Sequence, residues 1–156
     1  MTPPTTHTGT SARWAAPVHM AGATLIGLIG AVHLLVVHIF NGPDSAGEEV
    51  VDELSRRTPT ALFDGDRRVS VFDLNTGYSV GMGLLGLLFG VLVISAVRAA
   101  PQLIARWSLF NLGCVVAAGG LCCIAALYFP LPVIVLSGIA TLCFAAVLIA
   151  GPIEQR

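Results

Sequence analysis

Charge is what this chain lacks most. Of its 156 residues, 11% are charged, against about 25% in an average soluble domain. Lysine is absent: all eight basic residues are arginine. The net charge is −1, and no basic patch of the kind a nucleic-acid partner needs is present. Cysteine is confined to Cys114, Cys122, Cys123 and Cys143, all inside apolar runs and none in a C-x-x-C pair. Thiols so placed read as small hydrophobes, not as a disulfide framework or a zinc site. Adjacent Cys122 and Cys123 could bridge only by straining a helix. There is no strand alternation, no internal repeat, and no phosphate loop, since no lysine follows any of the glycine runs. No set of side chains is assigned to a metal.

What fills the chain instead is apolar. Hydrophobic residues make up 55% and the mean hydropathy is +0.84, in runs longer than about 18 residues, too long for an ordinary buried core helix. The chain is therefore expected in a bilayer, as a multi-pass protein of the plasma membrane. Residues 1–15, rich in Thr, Pro and Ser, read as a disordered tail. One membrane domain occupies 16–151, with spans at about 18–40, 71–97, 103–129 and 132–150. The first could be mistaken for a signal peptide, but its apolar run from Met20 to Phe40 exceeds the 7–15 residues of such a core; a retained span is expected, with Trp14 and His19 at the interface. Pro101 separates spans two and three, and Pro130 with Pro132 separates three and four. Short connections make antiparallel neighbours, so the fold class is an all-α, up-down-up-down four-helix transmembrane bundle.

One connection is long, residues 41–70. Ser45 and Glu48 have capping-box spacing and Thr58-Pro59 is a helix stop, which together place a short helix at about 46–57. Asp52–Arg56 and Glu53–Arg57 stand at i, i+4 as favourable pairs, whereas Glu49–Glu53 repel. Val50, Val51 and Leu54 form a narrow apolar stripe, so the helix is expected to lie across the bundle mouth, apolar side down, as a lid or a plain cover. Arginines on the two sides tie: Arg13, Arg98, Arg106 and Arg156 with the termini, Arg56, Arg57, Arg67 and Arg68 opposite. Arg98 and Arg106 flank spans closely, while the long loop is acidic, which favours cytoplasmic termini.

The candidates for chemistry gather where spans one and two approach this loop. His33 and His38 lie in span one, about 140° apart around the helix and about 7.5 Å apart along it. That splay argues against one metal, while an ionisable side chain at His33's depth is either interhelical glue or a functional group. Asp73 has two readings. With Ser70 it makes a second capping box for span two; alternatively it reaches across to a histidine and orients it as a base. His33, His38 and Asp73 are thus the catalytic candidates. Asn75, Tyr78, Asp64, Arg67 and Arg68 are candidates for binding a substrate or partner, the arginines because paired guanidiniums suit phosphate. Gly77, Gly81, Gly86 and Gly90, with Gly83, mark the packing face of span two and allow homo-oligomers or membrane-protein partners to dock there. Asn111 with Ser108, and Ser137 with Thr141, read as interhelical or back-bonding groups.

From about residue 30 to 90 the chain resembles a family of small bacterial four-helix membrane proteins. The likeness rests on His38 with Gly42, Phe63-Asp64, Ser70-Val-Phe72-Asp73 and Gly77-Tyr78-Ser79. The first histidine, His33, stands one position earlier than in that pattern, and Val69 occupies the place of an arginine. The resemblance implies the four-span architecture and lends no activity. The expected function is a binding or accessory subunit of a membrane complex, with a polar pocket between spans one and two near one membrane face. The alternative is a membrane-embedded enzyme doing acid–base or metal-assisted chemistry on a lipophilic substrate; a transporter half is the third and weakest option, because no repeat or broken-helix pair is present. The residues imply no particular cofactor.

Overall fold

The structure, a computed structural model, describes residues 13–40, 45–60 and 69–152. The fold is all-α, running α1 (Ala15–His38), α2 (Ala46–Arg57), α3 (Val71–Ala99), α4 (Leu109–Tyr128) and α5 (Leu131–Ala150). Helices α1, α3, α4 and α5 pack against each other as a four-helix bundle. They have 24, 29, 20 and 20 residues and are long and apolar enough to cross a membrane, at about 1.5 Å of rise per residue against about 30 Å of hydrocarbon. Their outer faces carry Leu85, Leu92, Leu127 and Leu142, all exposed. A surface so apolar is suited to lipid rather than water.

Local chemistry sets the helix ends. Pro17 occupies the first turn of α1, where its missing N–H is not needed. Ser45 and Glu48 cap each other at α2, with Ser45 N–H donating to Glu48 Oε2 at 2.7 Å and Glu48 N–H to Ser45 Oγ at 3.3 Å. Ser70 and Asp73 repeat the device at α3. At α4 the apolar run misleads. Pro101–Ile104 form a 3-10 turn, Trp107 takes a left-handed φ of 62°, and the helix begins only after Ser108, whose Oγ accepts from Asn111 N–H at 3.1 Å. The third span thus starts six residues later than the onset at 103 expected from hydropathy.

The chain forms two compact units, Met1–Leu28 with Leu88–Arg156, and Ile29–Leu87. In the first, Phe144 and Val147 of α5, Ala118 and Ala125 of α4, and Ala23 of α1 are essentially inaccessible. Small residues set the spacing: a Cβ on Gly90 would stand 2.7 Å from Ala23 O and from Gly27 Cα, and one on Gly22 3.1 Å from Cys143 Cβ. Close approach of this kind substitutes for a hydrophobic drive that lipid does not supply. The ends of this unit are tied by Arg106 N–H to Pro152 O at 2.7 Å.

In the second unit, α1 and α3 again meet through glycine. A Cβ on Gly30 would collide with Gly83 O, Leu87 N and Gly86 C, all backbone. Gly77 and Gly81, by contrast, have nothing within 4 Å of such an atom, so the packing face of α3 in this unit runs through Gly83 and Gly86 and not through the Gly77–Gly81 pair. Helix α2 also differs from expectation. Val50, Val51 and Leu54 are 68, 64 and 67% exposed, so its apolar stripe is not laid against other helices. What α2 packs is its last turn: the Arg56 guanidinium sits 4.1 Å over the Phe72 ring. Thr60 N–H to Val69 O and Val71 N–H to Thr58 O, each at 2.9 Å, then pin the segment after α2 to the start of α3.

Candidate functional site

The polar centre of the second unit is built by α1 and α3. His33 stands one helical turn after Gly30, and Ser79 one turn before Gly83. The glycines bring the two backbones close enough for the side chains to meet, and Gly83 leaves room for the His33 ring, whose Cδ2 lies 3.1 Å from where a Cβ would be. His33 Nε2 is 2.9 Å from Ser79 Oγ. His38 Nε2 is 3.1 Å from the same oxygen, and the two rings stand edge to face with centroids 5.9 Å apart. The histidines therefore converge despite the 140° between their positions on an ideal helix. The reach of two imidazoles and a hydroxyl placed between them closes that angle.

The shared hydroxyl constrains the protons. A serine Oγ–H donates once and accepts twice, and a neutral imidazole has one donor and one acceptor nitrogen. One hydroxyl proton serves at most one Nε2, so when Ser79 donates to one ring the other donates to its oxygen, and the neutral rings then take opposite tautomers.

Asp73 is elsewhere. Its Oδ2 accepts from Ser70 Oγ–H at 2.7 Å and Ser70 N–H at 3.2 Å, and its own N–H donates to Ser70 Oγ at 3.1 Å. The carboxylate turns back on the N-terminus of its own helix, where the helix dipole favours it. It also lines an open groove of about 560 Å³ with Arg56, Arg57, Pro59, Val69, Ser70 and Phe72. Asp73 is six residues before Ser79, about 9 Å along the axis. Among the described residues no third His, Cys, Asp or Glu joins the two histidines in a metal-binding group. Asn75 and Tyr78 are exposed on α3 and take no part in the His33–Ser79–His38 cluster. Asp64, Arg67 and Arg68 lie outside the described residues, as do Gly42 and Phe63.

Ser79 was not among the candidates drawn from the sequence, although a hydroxyl inside an apolar span, one turn from a packing glycine, was the available signal. His19 was expected at the interface, and its side chain is enclosed by protein. It is fully buried, 4.7 Å from the Phe144 ring and 5.9 Å from that of Phe110, centroid to centroid. Asn111, also fully buried, lies beside it, yet neither ring nitrogen of His19 and neither amide atom of Asn111 reaches hydrogen-bond geometry with a described residue. Ser137 and Thr141 back-bond to Val133 O and Ser137 O, at 2.7 and 2.8 Å.

No known protein family, no curated protein and no solved structure matches the chain.

Proposed function

We propose that the chain is a membrane-embedded binding or accessory subunit whose site is the His33–Ser79–His38 cluster, toward the end of the bundle that carries α2. One observation carries this: two imidazoles converge on one hydroxyl between apolar helices. Polar groups are costly at this depth, and those present are the means of holding a polar atom of an otherwise lipophilic molecule or partner helix. The open faces at Gly77, Gly81, Gly113 and Gly120, where an added Cβ would meet nothing, support docking of a further transmembrane helix, from a second copy or another subunit. Cytoplasmic termini fit the close flanking of α3 and α4 by Arg98 and Arg106.

The test is native mass spectrometry of the protein released from its own membranes. Wild type and Asp73→Ala should retain the bound molecule, while His33→Ala and His38→Ala should lose it at unchanged helicity. Equal retention by all four would overturn the proposal.

The Ser79–His33 contact of 2.9 Å also supports the enzymatic alternative, since it falls within nucleophile–base reach. Against it, the one carboxylate on α3 serves the helix start, and among the described residues no other carboxylate supplies His33 with the third, orienting group that activation of a serine ordinarily uses. Covalent capture of Ser79 by a fluorophosphonate would favour hydrolysis over binding.

A further inference from the structure

Helical rise places His33 and Ser79 at one depth and His38 nearer the surface. From the midpoints of their helices, His33 lies about 10 Å and Ser79 about 9 Å away, inside the roughly 15 Å half-thickness of the hydrocarbon. His38, the last residue of α1, lies about 17 Å from the midpoint, at the boundary with water. Its ring is exposed, whereas His33 is half-buried. An uninterrupted chain of hydrogen-bonding atoms thus runs from the membrane surface inward: His38 Nε2, Ser79 Oγ, His33 Nε2, at 3.1 and 2.9 Å.

We propose that these three side chains are a proton relay serving a ligand bound against His33. The inference rests on the binding site proposed above and adds that the ligand exchanges a proton there. In the resting state His38 donates from Nε2 to Ser79 Oγ, Ser79 donates to His33 Nε2, and His33 keeps its proton on Nδ1. A proton from water adds to His38 Nδ1. The His38 Nε2–H bond then breaks as its proton bonds to Ser79 Oγ, and the former hydroxyl proton leaves Ser79 to bond to His33 Nε2. His38 is left neutral with its proton on Nδ1, Ser79 is again a hydroxyl, and His33 is an imidazolium. His33 Nδ1 passes its proton to an anionic or basic atom of a lipophilic ligand and returns to neutrality. One proton has entered and one has left, and both rings have exchanged tautomers. The next inward transfer waits until they revert, so the relay delivers protons singly.

Among the described residues, the surrounding charge leaves this path to the histidines. From Ile29 to His38, α1 holds no other titratable group. On α3 the unit contributes Asp73, bonded to Ser70, and exposed Tyr78. On α2, Arg56 and Arg57 pair with Asp52 and Glu53, Glu48 bonds to Ser45, and Glu49 is exposed.

The experiment tracks protonation of His33 by time-resolved infrared spectroscopy after a jump from about pH 8 to about pH 5, across the histidine range. It uses the full chain in lipid nanodiscs with isotope-labelled histidine, and His33→Gln assigns the band. Ser79→Ala should slow the appearance of the His33 imidazolium by about 100-fold, the scale of a lost proton-transfer group. Ser79→Thr should restore the rate, and His38→Gln should slow it with Ser79 intact. A His33 rate unchanged in Ser79→Ala or in His38→Gln would overturn the relay. Ligand retention in those variants is measured separately, so a failed relay and a failed binding site give different results.

Discussion

Gly30→Ala tests the link between packing and site most sharply. The new Cβ would stand 2.5 Å from Leu87 N and 2.9 Å from Gly86 C, and closer still to Gly83 O. All three are backbone atoms of α3, so no rotamer change relieves the clash. Carbon contacts are comfortable at about 3.5–4.0 Å, so α1 and α3 must separate by about 1 Å. Overpacking of this kind costs about 1–3 kcal/mol. The same displacement stretches the His33–Ser79 contact from 2.9 Å to about 4 Å, beyond hydrogen bonding. Gly81→Ala is the matched control on α3: its Cβ meets nothing within 4 Å, and the change gains up to about 1 kcal/mol of helix propensity in water-based scales. Unfolding in nanodiscs, read by circular dichroism, gives the stabilities, and the histidine ¹⁵N resonances report the site. Gly30→Ala should lose stability and shift the His33 signal, while Gly81→Ala should do neither. If Gly30→Ala were as stable as Gly81→Ala with an unshifted His33, the glycine contact would not be what assembles the cluster.

Further outcomes are expected elsewhere. His19→Phe keeps the ring packing against Phe110 and Phe144 and removes two buried nitrogens that reach no hydrogen-bond geometry among the described residues, Asn111 beside them included, so thermal unfolding should show equal or greater stability, whereas His19→Ala should cost about 2–4 kcal/mol for the cavity. Ser70→Ala and Asp73→Ala each remove the α3 cap and should each cost about 1 kcal/mol; the double variant should cost much less than the sum, because the two side chains form one unit. Glu48 is held below the ordinary carboxylate value of 4.5, first by the Ser45 backbone N–H and then by the Ser45 hydroxyl. A folded value lower than the unfolded one means the cap contributes fully at neutral pH and is lost as pH falls through the folded value. Protection factors of the α2 amides, taken relative to the intrinsic exchange rate at each pH, should therefore fall in acid, and Glu48→Gln should flatten that dependence.

The parts of this fold legible in the sequence are those set by neighbours along the chain. Both capping boxes and the Thr58-Pro59 stop depend on residues no more than three apart, and the spans come from long apolar runs. What escaped depends on residues far apart. Gly77 and Gly81 have the same spacing signature as a packing pair, but no described residue lies against them; Gly22, Gly30, Gly83 and Gly90 are in close contact. His19 sits near the end of α1 and so looked interfacial, yet Phe110 and Phe144, more than 90 residues away in sequence, enclose it. Leu103, Ile104 and Ala105 are as apolar as a span, but Pro101 and the left-handed Trp107 keep them out of α4. The stripe on α2 was visible, whereas its exposure was not, because the helix is anchored through Arg56 and Phe72. At the site, both histidines and the two roles open to Asp73 were evident. The geometry puts the carboxylate in the role of cap, and the histidines on Ser79, a residue whose importance comes only from the helix that passes beside it.

The central claim is that His33 and His38 share the Ser79 hydroxyl. It is tested most directly by ¹⁵N spectra of the two imidazoles in lipid nanodiscs, at a pH where both rings are neutral. One ring should carry its proton on Nε2 and the other on Nδ1, and Ser79→Ala should shift both. Identical tautomers in the wild type, unmoved by Ser79→Ala, would contradict the account.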